Sequence, residues 1–484
     1  MTAPPEKSAV GGALWDAVRS VLQSARLDPP LRRSPTGLDA PLSPEQAPFW
    51  CPERPEENGS YLIPAVFRIP AAVDPAALER SLVEIARRHE VLRTAFQRID
   101  EKDRAVVLAE TAIRLPLVDL RALPDSSRQA CAERLIQEEA RQSFRLDRGP
   151  LVAFKLLRLG DERHALLATF HHAAFDGWSL SVFSRELSLL YEGFAARSSS
   201  PLPEPSLQYA DYARWKNEWL RGPGAERQRA YWREALRDLP RRGVRCGLPS
   251  GPAILHVQPI PAALVARARA LGESAGASLF VALLTAFEAM LHRFSGEEDL
   301  AIRSIAAGRS RSELCDRIGC FINPIALRVS FAGDPTCREL LQRVRESALG
   351  AFAHAELPFD HVLEELSPGE EILDAPAQIL FLLQNFPAAR LRLGGREIPA
   401  EETAAGWTET PLMVTLNPDG DGLSGEWQGH GVAFDAPRLA ALAGTYEAVL
   451  RALVDDPDVR LSKLPEGEPD LSEILAFLLG AEET

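Results

Sequence analysis

Several features that would place a chain at once are scarce in this sequence. Cysteine is one: 484 residues hold six, at 51, 131, 246, 315, 320 and 337, with no paired Cys-x-x-Cys spacing. That excludes a disulfide scaffold, and the six read as reduced thiols of a cytoplasmic protein. Positive charge is not in surplus either, since 54 Lys and Arg face 68 Asp and Glu for a formal net charge of -14. Without a basic stripe to neutralise phosphates, no nucleic-acid partner is expected. No apolar run reaches membrane-spanning length, and the start, MTAPPEKSAVGGALW, lacks the basic and apolar regions of a secretory leader. A membrane is therefore not expected. No internal repeat is visible, and histidine is rare, with nine in the chain.

What is present is an ordinary globular composition, 46% hydrophobic and 25% charged, over a length at which one core usually gives way to two lobes. ALWDAVRSVLQSARL has Leu14, Ala17, Val18, Val21 and Leu22 at helical spacing and runs into the linker-like DPPLRRSPTGLDAP. YLIPAVFRIP predicts a strand. PAALERSLVEIARRHEVLRTAF predicts a helix whose basic residues Arg87, Arg88 and His89 suit a helix C-terminal dipole. RAVVLAE and AIRLPLVDL predict strands, SSRQACAERLIQEEARQSF a helix, and LVAFKLLRL with HALLATF a hairpin of buried strands. WSLSVFSRELSLLYEGFAAR becomes helical again.

SSSPLPEPSLQ reads as a connection and puts a lobe boundary within 196–225, followed by the charged helix AERQRAYWREALRDL. The second half repeats the mixture, with helices in PAALVARARALGESAG, SLFVALLTAFEAMLHRF and CRELLQRVRESALGAFAH. Its strands are DLAIRSIAA, INPIALRVS, AQILFLLQNF, LMVTLN and GLSGEWQG. The fold class expected is α/β, two lobes each built on a mixed sheet. Residues 1–40 form an N-terminal appendage, 41–210 and 211–465 the two lobes, and 466–484 an acidic tail. In that tail Leu471, Ile474, Leu475 and Leu478 share one helical face, which either packs on the second lobe or docks on a partner.

Two of the nine histidines stand together in FHHAAFDGWSL, residues 170–180, on a loop between a predicted strand and a predicted helix. Adjacent histidines can simply end a strand. A zinc site needs three or four converging ligands, and no Cys or Glu stands nearby in such a pattern, so no metal is expected. A neutral imidazole can also take a proton from a nucleophile at neutral pH. Asp176 can anchor such a loop through an arginine, and Gly177 allows close backbone approach with its N–H aimed at a reacting oxygen.

His171, His172, Asp176 and Gly177 match HHxxxDG, and the chain resembles the condensation domains of nonribosomal peptide synthetases. Other stretches resemble that family's motifs in order from about residue 41 to 465: APLSPEQAPFW, RHEVLRTAF, YADYARWKNEWL, IGCFINPIALRV, HAELPFDHVLEEL and ILFLLQNFP. Two departures stand out. Ala47-Pro48 precede Phe49-Trp50 where the family usually has an Arg, and the family's HQD segment is His354-Ala355-Glu356 here. After Pro465 neither an adenylation nor a carrier motif follows, so the chain looks like a free-standing condensation enzyme.

The resemblance implies two chloramphenicol-acetyltransferase-like lobes in a V-shaped pseudodimer with a tunnel at their interface. It implies acyl or peptidyl transfer from a carrier-protein thioester to an amine or alcohol, carrier-bound or a free small molecule, forming an amide or ester. His172 would be the catalytic imidazole and Gly177 the oxyanion donor. His171 would support them, as would Asp176 paired with Arg93 and Arg309, while Trp178 and Asn323 would line or shape the channel, a core or strand-end role being the alternative for each. No cofactor is expected on this chain, the 4'-phosphopantetheine arm belonging to the carrier, and a monomer is expected. Alternatives are an acyl-CoA-dependent acyltransferase and a non-catalytic recruitment domain.

Overall fold

A computed structural model describes residues 29–34, 39–51, 61–108, 113–239, 251–366, 379–385, 387–402, 407–408 and 410–466. The helix expected within 13–27 and the acidic tail after 466 lie outside the described residues.

The first half opens with strand β1 (Asp39–Pro41), then β2 (Leu62–Ile69) and helix α1 (Pro75–Arg88). Asp74 starts α1 by accepting from the N–H groups of Ala76 and Ala77, and Pro75 supplies a preset φ at its first position. The helix ends at Arg88 and does not run through EVLRTAF as its spacing predicts. Residues Glu90–Arg93 form a 3-10 turn, and Thr94–Ile99 form β3, which pairs with β4 (Lys102–Val107). The reason is long-range. Arg88 and His89 both turn inward onto the buried carboxylate of Glu186, at 3.1 and 3.0 Å, and His89 is extended, with φ -108° and ψ 90°.

β5 (Leu117–Asp119), α2 (Asp125–Glu139), β6 (Val152–Arg158) and β7 (His164–His171) follow. β6 and β7 form the expected antiparallel hairpin, and all eight residues of β7 are buried. α3 (Gly177–Ala195) leaves the far end of β7 after one short turn. Helices α4 (Tyr209–Trp219) and α5 (Pro223–Ala235) lead into the second half.

There, β8 (Gly251–Ile260), α6 (Ala262–Ser274), α7 (Leu279–Ser295), β9 (Asp299–Ala306), β10 (Asn323–Ser330), α8 (Cys337–Ala353) and α9 (Phe359–Leu366) precede a run of short strands. These are β11 (Ile379–Leu383), β12 (Arg390–Leu393), β13 (Arg396–Pro399), β14 (Glu401–Glu402) and β15 (Trp407–Thr408). β16 (Leu412–Asp419), β17 (Gly422–His430) and α10 (Ala436–Asp455) complete the half. Its seven-stranded sheet has the order β10-β9-β11-β16-β17-β8-β15. The helices α7 and α10 cover one face of it, where Phe287 and Tyr446 meet Phe381 and Trp427 at ring separations of 4.8 to 6.4 Å.

The halves are not separate in space. The first half's sheet has the order β14-β2-β7-β6-β5, so its outer strand comes from the second half, with Glu401 opposite Val66. The β12–β13 hairpin lies beside α3, where Arg392 N–H donates to Ser188 Oγ at 2.8 Å. One continuous apolar core contains residues of both halves. Among the described residues no single helix is long and apolar enough to cross a membrane. α6 and α7 pass that test only as a pair, but they meet at 103° and most of α7 is core.

Candidate active site

The site is built where β7 stops. His171, its last residue, is buried, and its Nδ1 accepts from the Ala173 N–H at 3.1 Å. The rings of Phe49 and Phe144 stand edge-on to it at 5.9 and 6.2 Å. This side chain is spent on packing and on the turn. His172 begins the short 3-10 turn His172–Ala174 and is half-buried. Its N–H donates to Tyr61 O at 2.8 Å, its ring stacks on Phe49 at 5.6 Å with planes 14° apart, and its Nδ1 lies 3.7 Å from Cys320 Sγ. Enclosure by protein pushes the imidazole below the ordinary histidine pKa, against weaker opposite pulls from Asp176 and the residue's own carbonyl. Enclosure thus favours the neutral form of the ring.

Asp176 is committed to other groups. It caps α3, taking the Ser179 N–H at 2.8 Å and Ser179 Oγ at 2.7 Å on Oδ1. It also takes the Phe321 N–H at 3.1 Å on Oδ2, and Arg309 Nη2 at 2.9 and 3.1 Å on its two oxygens. Both charged side chains are fully enclosed, at 1% and 0% exposure, which a charge pair tolerates only when its remaining polar capacity is filled. Most of that capacity is filled: Arg309 Nη1 donates to the carbonyls of Leu314 at 2.5 Å and Arg317 at 2.8 Å and Nη2 also to Ser179 Oγ at 3.0 Å, while the buried Nε–H has no hydrogen-bond partner among the described residues. The guanidinium lies 4.3 Å from the Phe321 ring and 5.7 Å from Trp178. Gly308, with φ +64°, makes the approach possible, because a Cβ there would stand 1.7 Å from Phe321 O. Gly177 opens α3 directly beside this lock, its N–H at the positive end of a 19-residue helix.

The structure thus brings His171, His172, Asp176, Gly177 and Arg309 together, corrects the pairing of Arg93, and gives Asn323 the strand-end role over the channel one. Arg93 does not pair with Asp176. It binds the Leu108 carbonyl and lies 3.5 Å from Glu90, one helical turn back, because the 3-10 turn that carries it faces β4. Asn323 does not present a free amide to a channel: its Nδ2 donates to Ala355 O at 2.8 Å and Leu357 O at 2.7 Å, and its Oδ1 takes the Phe359 N–H at 3.0 Å. It straps the HAELPF loop to the start of β10. Trp178 is half-buried and donates Nε1–H to Cys315 O at 2.9 Å, so it too ties the halves.

Sequence reasoning missed a second buried cluster beside the first. Lys216 Nζ donates to Glu356 O at 2.6 Å and Oε2 at 3.1 Å, and stands 3.5 Å from Glu45 Oε1. Tyr212 OH donates to the same Glu45 oxygen at 2.8 Å. Burial alone would lower the Lys216 pKa, but the two carboxylates outweigh it and raise it. Tyr209 OH donates to Cys320 O at 2.5 Å and shares a hydrogen bond with Ser43 Oγ at 2.8 Å. The available signal was charge inside otherwise apolar motifs: Glu45 in APLSPEQAPFW, Lys216 in YADYARWKNEWL and Glu356 in HAELPF. Among the described residues no three His, Cys, Asp or Glu side chains cluster as metal ligands.

Comparison with known proteins agrees with this architecture. The family model described as Condensation domain matches residues 38–468. Chondramide synthase cmdD of Chondromyces crocatus is 35% identical over 443 residues, 90% of this chain but 11% of that protein. The chain thus spans a small fraction of the length of that relative. The X-domain from teicoplanin biosynthesis, solved in complex with OxyB, superposes with a TM-score of 0.77 at 27% identity, covering 90% of this chain and 98% of that one. The first condensation domain of the calcium-dependent antibiotic synthetase, in complex with a substrate analogue, superposes with a TM-score of 0.75 at 20% identity, covering 89% and 99%, and shows the shared α/β fold. With the HHxxxDG loop, the Asp176–Arg309 lock and a family match across most of its length, the chain belongs to the condensation-domain family of nonribosomal peptide synthesis.

Proposed function

We propose that this chain transfers an acyl or peptidyl group from the phosphopantetheine thioester of a carrier protein to an amine or alcohol. The observation that carries the proposal is an imidazole, His172, held by stacking on Phe49 and by its N–H on Tyr61 O, beside the start of a helix whose first N–H belongs to Gly177. The nucleophile's nitrogen or oxygen adds to the thioester carbonyl while His172 takes or orients its proton. The Gly177 N–H, at the positive end of its helix, is the donor assigned to the oxyanion in this reading. Collapse breaks the C–S bond, and the proton leaves with the thiol. Because a thioester is already activated, most of the acceleration comes from holding two reactants together, which supplies on the order of 7 to 11 kcal/mol in well-oriented systems. Asp176 takes no part in proton transfer, its oxygens being committed to four donor groups.

The test is intact-protein mass spectrometry of acyl-loaded carriers mixed with the chain and a panel of amines and alcohols. Discharge with product formation is expected, with His172→Ala slowing it by on the order of 100-fold or more. Wild-type turnover in that variant refutes the role of His172. Full turnover of free acyl-CoA without a carrier reassigns the donor. A second reading, recruitment of a partner protein without chemistry, draws support from the likeness to an X-domain that forms a complex with OxyB. It predicts partner binding and no discharge.

A further inference from the structure

His172 is gripped from three sides, and one grip comes from the other half of the chain. Tyr61 O takes its backbone N–H, Phe49 lies flat against the ring, and Cys320 Sγ sits at the Nδ1 edge. We infer that Cys320 is a positioning residue that keeps the His172 proton on Nδ1, so that Nε2 is the ring's proton acceptor. The inference deepens the proposed function and rests on it only for what Nε2 does. The tautomer itself is a property of the free protein.

The argument is an inventory of donors and acceptors around one sulfur. A thiol has one proton and can also accept through its lone pairs. Cys320 Sγ lies 4.0 Å from Glu45 O and 3.7 Å from His172 Nδ1. A carbonyl oxygen cannot donate, so the first contact can only be S–H to oxygen. With its proton on the Glu45 carbonyl, the sulfur accepts from the ring and Nδ1 carries the hydrogen. Burial pushes the Cys320 thiol well above its ordinary pKa, which keeps the S–H proton in place. In the opposite arrangement the thiol would donate to Nδ1, the Glu45 carbonyl would lose that donor, and Nε2 would carry a proton and be unable to take another from a neutral nucleophile.

Cys320 is itself placed by the lock. Tyr209 OH holds its carbonyl, and Asp176 holds the N–H of the next residue, Phe321. The protonation pattern of an imidazole on the first half therefore depends on a loop of the second half being docked.

The experiment is nuclear magnetic resonance of the full chain with isotope-labelled histidine ring nitrogens, the His172 signals being assigned by their loss in His172→Gln. A pyrrole-type Nδ1 and a pyridine-type Nε2 are expected. Cys320→Ala should move the tautomer ratio about fivefold toward Nε2–H, the bias of one neutral hydrogen bond of about 1 kcal/mol. Cys320→Ser, which keeps one proton and two lone pairs, should restore it, a rescue that loss of packing alone does not predict. An Nε2–H tautomer in the wild type, or an unchanged ratio in folded Cys320→Ala, overturns the inference. If Cys320→Ala does not fold, the wild-type spectrum and Cys320→Ser decide. An Nδ1–H ring in a chain that discharges no carrier would refute the proposed function and leave this inference standing.

Discussion

Removing the Asp176 carboxylate should destabilise the protein more than its small size suggests. Asp176→Ala deletes an N-cap, worth about 1 kcal/mol, and leaves the Arg309 guanidinium, 1% exposed, without its counter-charge. Breaking a buried pair from one side costs about 3 to 5 kcal/mol, and the Leu314 and Arg317 carbonyls that remain on Nη1 argue for the lower end, giving about 4 kcal/mol in all. At about 2.1 cal/mol/K per residue, the 484-residue chain unfolding as one unit has an unfolding entropy of about 1 kcal/mol/K, so Tm should fall about 4 °C. If one half unfolds alone the shift should roughly double. Scanning calorimetry reads it directly. Asp176→Asn keeps an acceptor for Ser179 and should lose about 2 kcal/mol, the scale of a hydrogen bond to a charged group. Adding Arg309→Met to Asp176→Ala removes the stranded charge, so the double variant should be less destabilised than the two single effects added. A Tm unchanged in Asp176→Ala, or strict additivity in the double variant, would refute the reasoning.

Three further outcomes are expected. Gly308→Ala must place a Cβ 1.7 Å from Phe321 O at φ +64° and should disrupt folding or activity, whereas Gly296→Ala, at φ +70° with open space around it, should cost only about 1 to 2 kcal/mol of backbone strain; similar urea midpoints for the two would contradict this. Burial opposes ionisation of Glu186, yet hydrogen bonds and charge from His89 and Arg88 hold its carboxyl down to about 2 from 4.5. A depressed folded pKa contributes stability above the unfolded value, here about 3 kcal/mol, which should be lost as pH falls from 4.5 to about 2 and be missing from the acid limb of Glu186→Gln. Glu288 has the opposite sign: burial in α7 raises its pKa from 4.5, so stability is greatest below 4.5 and declines as pH rises. Glu288→Leu should raise Tm at neutral pH, with the gain shrinking toward pH 4.5; a loss at neutral pH would show that the carboxyl has a use.

Local pattern was enough wherever an element packs by its own periodicity. β7 and α3 lie where HALLATF and WSLSVFSRELSLLYEGFAAR put them, and the His172 loop falls between them. It failed where a distant partner decides. EVLRTAF has helical spacing but becomes a turn and a strand, because Arg88 and His89 reach Glu186 almost a hundred residues on. GPAILHVQPI showed no strand signal, with prolines at 252 and 259, yet it forms β8. Among the described residues β15 covers only Gly251 and Pro252 of its outer edge, and Pro259 has no ladder partner on that side. In the site, Asp176 and Arg309 could be matched by motif, whereas Arg93 and Asn323 took their partners from geometry that motif order does not encode. Cys320 gave no signal at all, because its meaning is its distance from His172.

The two residues of β14 have a consequence out of proportion to their number. By closing over Ala65 and Val66 they cover part of the outer edge of β2, and an uncovered edge is a template for pairing with any other chain. A fragment cut near residue 210 would bare that edge, so the molecule cannot be parted into two self-sufficient modules at the place where its sequence seems to divide. The strand is on loan across the cut, a strap that joins the halves where the chain order alone would leave them apart.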